Sequence, residues 1–421
     1  MLRLNRRLFI GSAAAASAAL SAPAVLGQAK PRVVVVGGGA GGATAARYLA
    51  KDSAGAIEVT LVETNPVYTT CFFSNLYLGG FYAFEDLQHE VGTLSSAGVN
   101  VVIDTATGVD RAAKTVTLAS GTVLPYDRLV LSPGIDFKEG SVPGWSVADA
   151  EVMPHAYKAG PQTQLLKAQV EAMPQGGVFA MITPPNPYRC PPGPYERISM
   201  IAHILKTSNP TAKILVADPK ENFSKRALFE EGWDKHYPGM IERIGPEFGG
   251  DKFEVRPASM EVVIDGEVTK VDACNVIPAQ QAGMIAAIAG VTADSGWAPV
   301  NPENMQAKAD ANVYVLGDAS AQGDMPKSGF SANSQAKVAV NAIRGELTGS
   351  RVFPARYSNT CWSLIAPDDG VKVGAAYEPT PEKIASVSNF ISQTGEDAAL
   401  RKTTYEESLG WYSGIVADMY G

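Results

Sequence analysis

Four cysteines are the residues of this chain best suited to redox chemistry, and they are Cys71, Cys190, Cys274 and Cys361. They are too few to form a disulfide scaffold for 421 residues, but they permit one bridge and leave others for chemistry. Neither Cys-x-x-Cys nor Cys-x-x-Cys-His occurs, which excludes a zinc ribbon and a covalently attached haem. The four histidines are scattered without metal-ligand spacing, so we predict no metal site. Cys274 falls in the predicted strand 271–277 and is expected to be an inert core thiol.

A dinucleotide-binding fingerprint follows the first predicted strand. The run 33–36 is β-branched throughout, as is typical of a buried parallel strand. Three glycines come next in the pattern Gly-x-Gly-x-x-Gly, namely Gly37, Gly39 and Gly42. A helix-compatible segment and a second strand, 58–63, follow, and Glu63 ends that strand. In this order the N-terminus of the helix accepts a pyrophosphate and the terminal acid binds the ribose hydroxyls.

A second strand of this kind, 177–182, is not followed by a glycine turn. The proline-rich stretch 184–194, which we call the proline loop, comes instead, and it contains Cys190. Proline lacks an N–H donor and adds bulk, so a pyrophosphate cannot bind there in the usual way. We therefore predict that NADH is not the electron donor of this protein. Cys190 is a candidate for chemistry.

Two more motifs indicate a bound flavin. The predicted strand 312–318 ends in a Gly-Asp pair, and an aspartate such as Asp318 often holds the ribityl chain of a flavin. The strand that begins near Tyr126 ends in a tight turn at Gly134. Lys327 follows the Gly-Asp motif, where it either places positive charge near the flavin, favouring its anionic reduced form, or is exposed to solvent.

The segment 1–29 is predicted to be a twin-arginine signal peptide. Paired arginines, Arg6 and Arg7, precede an Ala/Ser-rich, weakly apolar run and small residues at a cleavage site between about residues 24 and 30. A membrane anchor is the alternative, but the run is too short and too rich in alanine to span a bilayer. No later segment is long and apolar enough to cross one. We therefore expect export of a folded protein to the periplasm.

The composition is that of an ordinary globular protein, with 46% hydrophobic and 19% charged residues. The net charge of −8 argues against a nucleic-acid binder, which needs a basic face. It is compatible with a cationic protein partner. The length allows two or three domains.

The fingerprint, the Gly134 turn and the Gly-Asp motif together resemble the two-dinucleotide-domain flavoprotein superfamily. The match narrows at the segment 68–75 around Cys71, at Cys190 in the proline loop, and at the segment 359–362 around Cys361. With the export signal, these residues resemble the flavoprotein subunit of flavocytochrome c sulfide dehydrogenase, close to the related SoxF flavoprotein. The resemblance covers nearly all of the mature chain.

The resemblance implies an α/β fold with two Rossmann-like domains of the FAD/NAD(P)-linked disulfide reductase type and a small C-terminal α+β domain. The FAD-binding domain is expected to be discontinuous, and the second nucleotide-type domain lacks an NAD fingerprint. The expected boundaries are 30–149 with 271–352 for the FAD-binding domain, 150–270 for the second domain and 353–421 for the C-terminal domain.

Several residues gain roles from the resemblance. Cys71 would be joined to FAD by a thioether at the 8α-methyl group, and Cys190 and Cys361 match the redox-active disulfide of the family. Glu196 matches the acidic residue near that disulfide and would accept or donate a proton. From the residues alone, other interpretations stay open: a small buried thiol beside the flavin at Cys71, a structural bridge, and a glutamate that favours the helix dipole.

The activity implied is a periplasmic FAD enzyme that oxidises sulfide and passes electrons to a c-type cytochrome on another chain. A heterodimer is expected, with haem only on the partner. One alternative is a sulfide:quinone oxidoreductase, although the segment 410–421 has little of the basic charge that suits membrane docking. Another is a non-catalytic accessory flavoprotein that maintains the redox state of a sulfur-carrier complex, which the same cysteines would serve equally well.

Overall fold

The computed structural model describes residues 29–421, so the predicted signal peptide lies, except for Ala29, outside the described residues. A six-stranded sheet combines the beginning of this range with a segment from beyond residue 300. Its strands, in spatial order, are Gln306–Ala307, Asp310–Val315, Arg128–Leu131, Arg32–Val36, Glu58–Glu63 and Asn100–Ile103. The five longer strands are parallel. The apolar run 33–36 is buried at the centre, as expected for a parallel strand covered on both faces.

Two helices, Ala40–Asp52 and Gly329–Thr348, pack against each other over this sheet. The first begins directly after the glycine turn, a few residues earlier than the helix-compatible segment starting at residue 43 had indicated. A three-stranded antiparallel sheet continues the unit, with strands Ala106–Asp110, Thr115–Leu118 and Val123–Pro125. Its second and third strands form the hairpin that the sequence predicts.

A second parallel sheet has four strands, in the order Ile241–Ile244, Lys213–Ala217, Val178–Ile182 and Ala273–Val276. The helices of this unit are Pro161–Glu171, Gly193–Ser208 and Arg226–His236. An antiparallel sheet beside it is formed by Phe253–Arg256, Glu261–Ile264 and Glu267–Lys270. Its hairpin turns at Asp265 and Gly266, both with positive φ, as the Asp-Gly pair predicts.

The C-terminal region is a three-stranded antiparallel sheet followed by a long helix. The elements are Tyr357–Ala366, Asp369–Pro379, Ile384–Ile391 and Ala398–Met419. The first strand contacts the helix Gly193–Ser208 of the second unit and the helix Gly329–Thr348 of the first. It therefore lies where the three units meet, which decides what its side chains can reach.

Shorter elements complete the described chain. The remaining strands are Val67–Thr69 with Gln88–Glu90, Ile135–Phe137 with Gln280–Ala282, and Ala298–Pro299 with Ser320–Ala321. The remaining helical turns are Ser74–Leu78, Glu85–Leu87, Val91–Ala97, Val147–Glu151, Pro246–Phe248, Pro257–Ser259, Met284–Ile288 and Gly317–Ala319. Across residues 29–421, every helix is too short or too polar to span a bilayer.

Candidate active site

A long cleft of about 2020 Å³ runs along the edge of the six-stranded sheet where the fingerprint lies. The helix Ala40–Asp52 starts immediately after Gly39, and its first turn carries neither an acidic side chain nor a side-chain cap. A Cβ atom at Gly42 would lie 1.8 Å from the carbonyl oxygen of Gly37, so only glycine lets the helix approach the strand this closely. Such an open helix N-terminus suits a pyrophosphate.

Two acids predicted from the sequence line this cleft. Glu63 accepts a hydrogen bond from the backbone N–H of Gly38 at 2.6 Å, which holds its carboxylate beside the glycine turn. The Oδ1 atom of Asp318 is buried and has no hydrogen-bond partner within residues 29–421. Its other oxygen is 3.9 Å from Nη1 of Arg189. Burial raises the pKa of Asp318, although Arg189 lowers it. A buried acceptor without a donor fits a ligand that brings hydroxyl groups, so the cleft suits FAD.

Gly134 and Lys327 are the other residues predicted to bind the cofactor, and only Gly134 lines the cleft. Gly134 lines it in a turn with a φ of +69°, as the predicted tight turn requires. Lys327 is buried rather than exposed, and its Nζ donates to the carbonyl oxygens of Asp318 and Ser320, each at 2.7 Å. The ammonium also lies 3.7 Å from the ring centre of Trp297. Lys327 is therefore next to the cleft, with its charge directed into the protein.

A second cavity, of about 920 Å³, adjoins the cleft, and we call it the dithiol cavity. Cys190 and Cys361 both line it, although they come from the proline loop and from the strand Tyr357–Ala366. Both are free thiols in the structure. Cys71 lines the dithiol cavity and the cleft alike, so it lies at their junction. Folding thus brings together the three cysteines to which chemistry was assigned, whereas Cys274 is buried in the strand Ala273–Val276.

The backbone around Cys190 holds its sulfur at the cavity. Cys190 has a φ of +55°, and its N–H donates to the carbonyl oxygen of Lys327 at 2.7 Å. Its own carbonyl oxygen accepts from the N–H of Gly193 at 2.7 Å. A Cβ atom at Gly193 would lie 3.0 Å from the Cys190 sulfur, so the glycine makes room for it. The predicted proline loop thus positions a cysteine where a nucleotide-binding turn would otherwise stand.

Cys361 is held by a small hydrogen-bond network. Asn359 donates to its Sγ at 3.3 Å, and Ser328 donates to Oδ1 of Asn359 at 2.6 Å. Ser328 also caps the helix Gly329–Thr348 by accepting from the N–H of Ser331. Burial raises the pKa of the Cys361 thiol, and the contact with Asn359 lowers it. Burial also raises the pKa of Cys190, as do the neighbouring Cys361 and Glu196.

Glu196 points into this cavity from the first turn of the helix Gly193–Ser208. Its Oε2 accepts from the amide of Asn75 at 2.8 Å, and its Oε1 accepts from the N–H of Leu364 at 2.9 Å. Burial raises its pKa, while Asn75 and the Leu364 N–H lower it; the net direction is upward. The carboxylate thus accepts two hydrogen bonds at the cavity, which a favourable effect on the helix dipole alone does not require.

Three charged residues of this region were not predicted: Arg189 and Arg197, which line the dithiol cavity, and Lys225, which lies beside Cys361. Lys225 is 4% exposed and donates to the carbonyl oxygen of Cys361 at 3.0 Å and to Oγ of Ser363 at 2.8 Å. Lys225 lies between Ser224 and Arg226, and such a polar sequence is typical of a surface loop. No pattern in the sequence distinguishes it from the exposed lysines, because only the tertiary fold places it beside Cys361.

Aromatic side chains close the far side of the dithiol cavity. Trp411 packs against Phe330 and Trp362, with ring centres 6.2 and 5.5 Å away. Phe73 stacks on Tyr412 at 4.3 Å. The dithiol cavity therefore has an apolar wall, to which the C-terminal helix contributes Trp411. Among the described residues, no cluster of His, Cys, Asp and Glu side chains is arranged to hold a metal ion.

In the second parallel sheet, the acid that corresponds to Glu63 is paired with other side chains of the protein. Asp218 follows the strand Lys213–Ala217 as Glu63 ends its strand, but it is fully buried. Its oxygens lie 2.7 Å from Nζ of Lys220 and 2.8 Å from Nε of Arg243, and Tyr195 donates to it at 2.8 Å. Burial raises the pKa of Asp218, but Lys220 and Arg243 lower it by more. The net direction is downward, so the carboxylate stays charged. An acid used in this way cannot bind a ribose.

We expect that NADH neither binds with useful affinity nor reduces the flavin. The proline loop offers no glycine turn for a pyrophosphate, and the acid that would hold the ribose is already paired inside the protein. Flavin absorbance recorded after rapid mixing with NADH checks this, with dithionite as the control that the flavin is reducible. Fast bleaching by NADH would overturn our interpretation of the second domain.

The fold and these cavities define a class: a flavoprotein of the two-domain disulfide oxidoreductase type. A family model described as pyridine nucleotide-disulphide oxidoreductase matches residues 31–165. Two more specific models match later segments: the central part of the sulfide dehydrogenase (flavocytochrome c) flavoprotein chain at 163–278, and the flavin-binding part of flavocytochrome c sulphide dehydrogenase at 354–420. The chain belongs to the family of flavocytochrome c sulfide dehydrogenase flavoprotein chains.

One curated relative is itself a member of this family, and two other similar proteins share part of the chain or its fold. The sulfide dehydrogenase flavoprotein chain of Chlorobaculum thiosulfatiphilum is 59% identical over 44 residues, which are 10% of this chain and 90% of that sequence. A probable ferredoxin reductase, CtmF, of Castellaniella defragrans is 35% identical over 124 residues, 29% of this chain and only 30% of that protein. The solved sulfide:quinone oxidoreductase of Aquifex aeolicus has the same fold, with a TM-score of 0.69, 18% identity and coverage of 93% and 92% of the two chains.

Proposed function

We propose that this protein is a periplasmic flavoenzyme that oxidises sulfide through a redox-active Cys190–Cys361 pair and a covalent FAD, and passes the electrons to a c-type cytochrome subunit. The observation that carries the proposal is the dithiol cavity. Two cysteines from different units line one cavity, and that cavity meets the dinucleotide cleft at Cys71. A disulfide that only stabilised the fold would need neither a cavity nor an adjoining cofactor cleft.

The proposed reaction begins with thiol–disulfide exchange. Hydrosulfide attacks one sulfur of the oxidised Cys190–Cys361 pair, so that a new S–S bond forms as the bridge breaks. One cysteine then carries the persulfide, and the other takes the electron pair and leaves as a thiolate. Glu196, with both oxygens held at the cavity, accepts or returns the proton that hydrosulfide brings.

FAD, when bound, supplies the chemistry that the side chains lack, since it accepts two electrons together and releases them one at a time. This chain's part is to hold it. The glycine turn with Glu63 faces the dinucleotide end, Asp318 offers the unpaired acceptor, and Cys71 stands at the junction with the thiols. A thioether at Cys71 would keep the cofactor attached in a compartment that does not make FAD.

The electron acceptor follows from the family, whose members are the flavoprotein chains of flavocytochromes c. A heterodimer with haem only on the partner accords with the absence of Cys-x-x-Cys-His from this sequence. The periplasmic location rests on the segment 1–29, which carries the paired arginines. Attachment of that segment to a reporter active only outside the cytoplasm tests it, and replacement of both arginines by lysine should abolish export.

The activity is tested with the purified, FAD-loaded chain, sulfide, and either an oxidised c-type cytochrome or a short-chain quinone. Reduction of the cytochrome alone supports the proposal. Reduction of the quinone alone would make the protein a sulfide:quinone oxidoreductase. If neither is reduced, while the thiols exchange with a disulfide on a sulfur-carrier protein, the accessory role is correct.

We expect that Glu196→Gln slows sulfide-dependent flavin reduction by about 10²–10⁴-fold, the usual contribution of a positioned acid or base. Glutamine keeps the size of the side chain and one acceptor oxygen for the Leu364 N–H, so FAD binding and folding should be retained. Because burial raises the pKa of Glu196, the wild-type rate should fall as the pH drops through a value above that of an ordinary glutamate. Rates measured against pH for both proteins check this, and an unchanged acid limb in the variant would contradict the role.

A further inference from the structure

Lys225 is a buried cation that has no ion-pair partner among the described residues. Its side chain contacts are hydrogen bonds, to the carbonyl oxygen of Cys361 at 3.0 Å and to Oγ of Ser363 at 2.8 Å. Only 4% of the residue is exposed. Removal of an ammonium from water is costly unless an opposite charge compensates for it, so an unpaired buried lysine requires an explanation.

Other buried lysines of this protein are compensated. Lys220 lies 2.7 Å from the carboxylate of Asp218. Lys327 donates to two carbonyl oxygens, lies over the ring of Trp297, and has the charge of Asp318 nearby. Lys225 has two neutral acceptors and no carboxylate in contact. The negative charges that act on it without contact are those of Glu196 and of the two thiols, and the thiols carry a charge only in some states of the protein.

The backbone also aims Lys225 inward. The residue has a φ of +66° and a ψ of 28°, a left-handed conformation that favours glycine or asparagine. It stands immediately before the helix Arg226–His236, and its carbonyl oxygen accepts from the N–H groups of Leu228 and Phe229. A lysine kept in this conformation, with its side chain buried, indicates that its position matters more than its local backbone preference.

The titratable groups that face Lys225 come from three elements. Cys361 lies on the strand Tyr357–Ala366, Cys190 on the proline loop and Glu196 on the helix Gly193–Ser208. Burial lowers the pKa of Lys225 and the negative charges of these three groups raise it, so that the pKa is about 8. Two other cations, Arg189 and Arg197, line the dithiol cavity: Arg197 uses its donors on Asn75, Asn275 and backbone carbonyls, and Arg189 lies 3.9 Å from Asp318. Lys225 donates to the backbone of Cys361, and its charge lowers the pKa of both thiols, so it is placed to respond to charge on them.

We propose that Lys225 is a positioning residue for the dithiol: its ammonium supplies the counter-charge for the thiolate that forms when the Cys190–Cys361 bridge is opened. The inference rests on the proposed function. When hydrosulfide opens the bridge, one new S–S bond replaces the old one, and the negative charge that entered as hydrosulfide remains on the released cysteine sulfur. Burial disfavours that thiolate, as the raised pKa values of both thiols reflect, and an adjacent ammonium offsets the penalty.

The test measures the thiols directly and needs no sulfide. The FAD-loaded protein is reduced with dithiothreitol, and the alkylation of Cys190 and Cys361 by iodoacetamide is followed against pH by peptide mass spectrometry. In Lys225→Met we expect the midpoint of alkylation to rise by about one pH unit or more, which lowers the thiolate fraction about tenfold at a fixed pH below both midpoints. Lys225→Arg should restore the wild-type midpoint.

A matched control is Lys220→Met, which removes a buried lysine of the same domain that pairs with Asp218 instead of facing the thiols. It should lower stability and leave the alkylation midpoint unchanged. A wild-type midpoint in folded, FAD-loaded Lys225→Met would overturn the inference. If Lys225→Met does not fold, Lys225→Gln replaces it, and failure of both to fold would show that the lysine serves the fold rather than the thiols.

The same variants separate this inference from the proposed function. If wild type reduces its flavin with sulfide, Lys225→Met should do so about tenfold or more slowly at neutral pH, because less thiolate is available. If wild type does not react with sulfide but the alkylation midpoint still moves in Lys225→Met, the proposed function fails and the role of the lysine stands.

Discussion

Replacement of either Cys190 or Cys361 by serine is expected to abolish sulfide-dependent flavin reduction, by on the order of 10³-fold or more, while FAD stays bound. The reason is chemical: without the second sulfur there is no bridge for hydrosulfide to attack and no thiolate for it to release. Neither cysteine lines the dinucleotide cleft, so loss of a sulfur should leave the cofactor site intact. Turnover per mole of bound flavin, measured below the melting transition, is the relevant quantity.

A purely structural bridge predicts a different result. Loss of a native bridge would lower stability by about 2–5 kcal/mol, and the enzyme that remained folded would still turn over. Cys274→Ser is the matched control, since Cys274 is buried in the strand Ala273–Val276 and lines neither cavity. It should reduce stability without reducing turnover. Near-normal turnover in Cys190→Ser or Cys361→Ser would rule out the disulfide mechanism.

The two cysteine variants should also differ from each other. The family resemblance places Cys361 nearer the isoalloxazine, so Cys190→Ser keeps the thiolate able to form a charge-transfer band with oxidised flavin. That band, at long wavelength, should be present in Cys190→Ser and missing from Cys361→Ser. The reverse pattern would exchange the two roles and leave the remainder of the mechanism unchanged.

The Cys71→Ser variant is expected to release its FAD completely on denaturation, whereas wild type should keep a yellow, fluorescent band in a denaturing gel. Cys71 lies at the junction of the cleft and the dithiol cavity, which is where a thioether to the flavin would have to form. Serine preserves the size of the side chain, and the glycine turn and Asp318 should still hold FAD in the folded protein.

Cys274→Ser again serves as the control and should retain covalent flavin. Release of FAD from denatured wild type would show that Cys71 is only a small residue beside the cofactor, the alternative that its sequence leaves open. The measurement must use protein folded in the presence of FAD, because the link forms only once the cofactor is bound.

Local sequence patterns predicted the parts of this protein that short segments determine. The glycine turn must follow a buried strand and open a helix, so Gly37, Gly39, Gly42 and Glu63 can be placed from sequence alone. The structure has Gly37, Gly39 and Glu63 along one cleft and Gly42 in the first turn of the helix. The Asp-Gly turn at residues 265 and 266 is likewise determined by its own two residues, both of which have positive φ. Here local preference and tertiary structure agree.

Long-range contacts could not be predicted in this way. The meeting of Cys190 with Cys361 depends on how the C-terminal strand lies between the other two units, which only the family resemblance suggested. Asp218 has the spacing of a ribose-binding acid, yet Lys220 and Arg243 neutralise it from neighbouring loops and strands. Lys225 lies between polar residues in the sequence, and its burial becomes visible only when the chain is folded.

The central claim is that sulfide electrons reach the flavin through the Cys190–Cys361 pair. The most direct measurement is a single turnover without oxygen, in which the oxidised, FAD-loaded protein is mixed with one equivalent of hydrosulfide and quenched at successive times. Flavin absorbance is recorded, and peptide mass spectrometry locates any added sulfur. The mechanism predicts one sulfur atom on the peptide of Cys190 or Cys361, appearing no later than flavin bleaching. Bleaching with both cysteines unmodified throughout would contradict it.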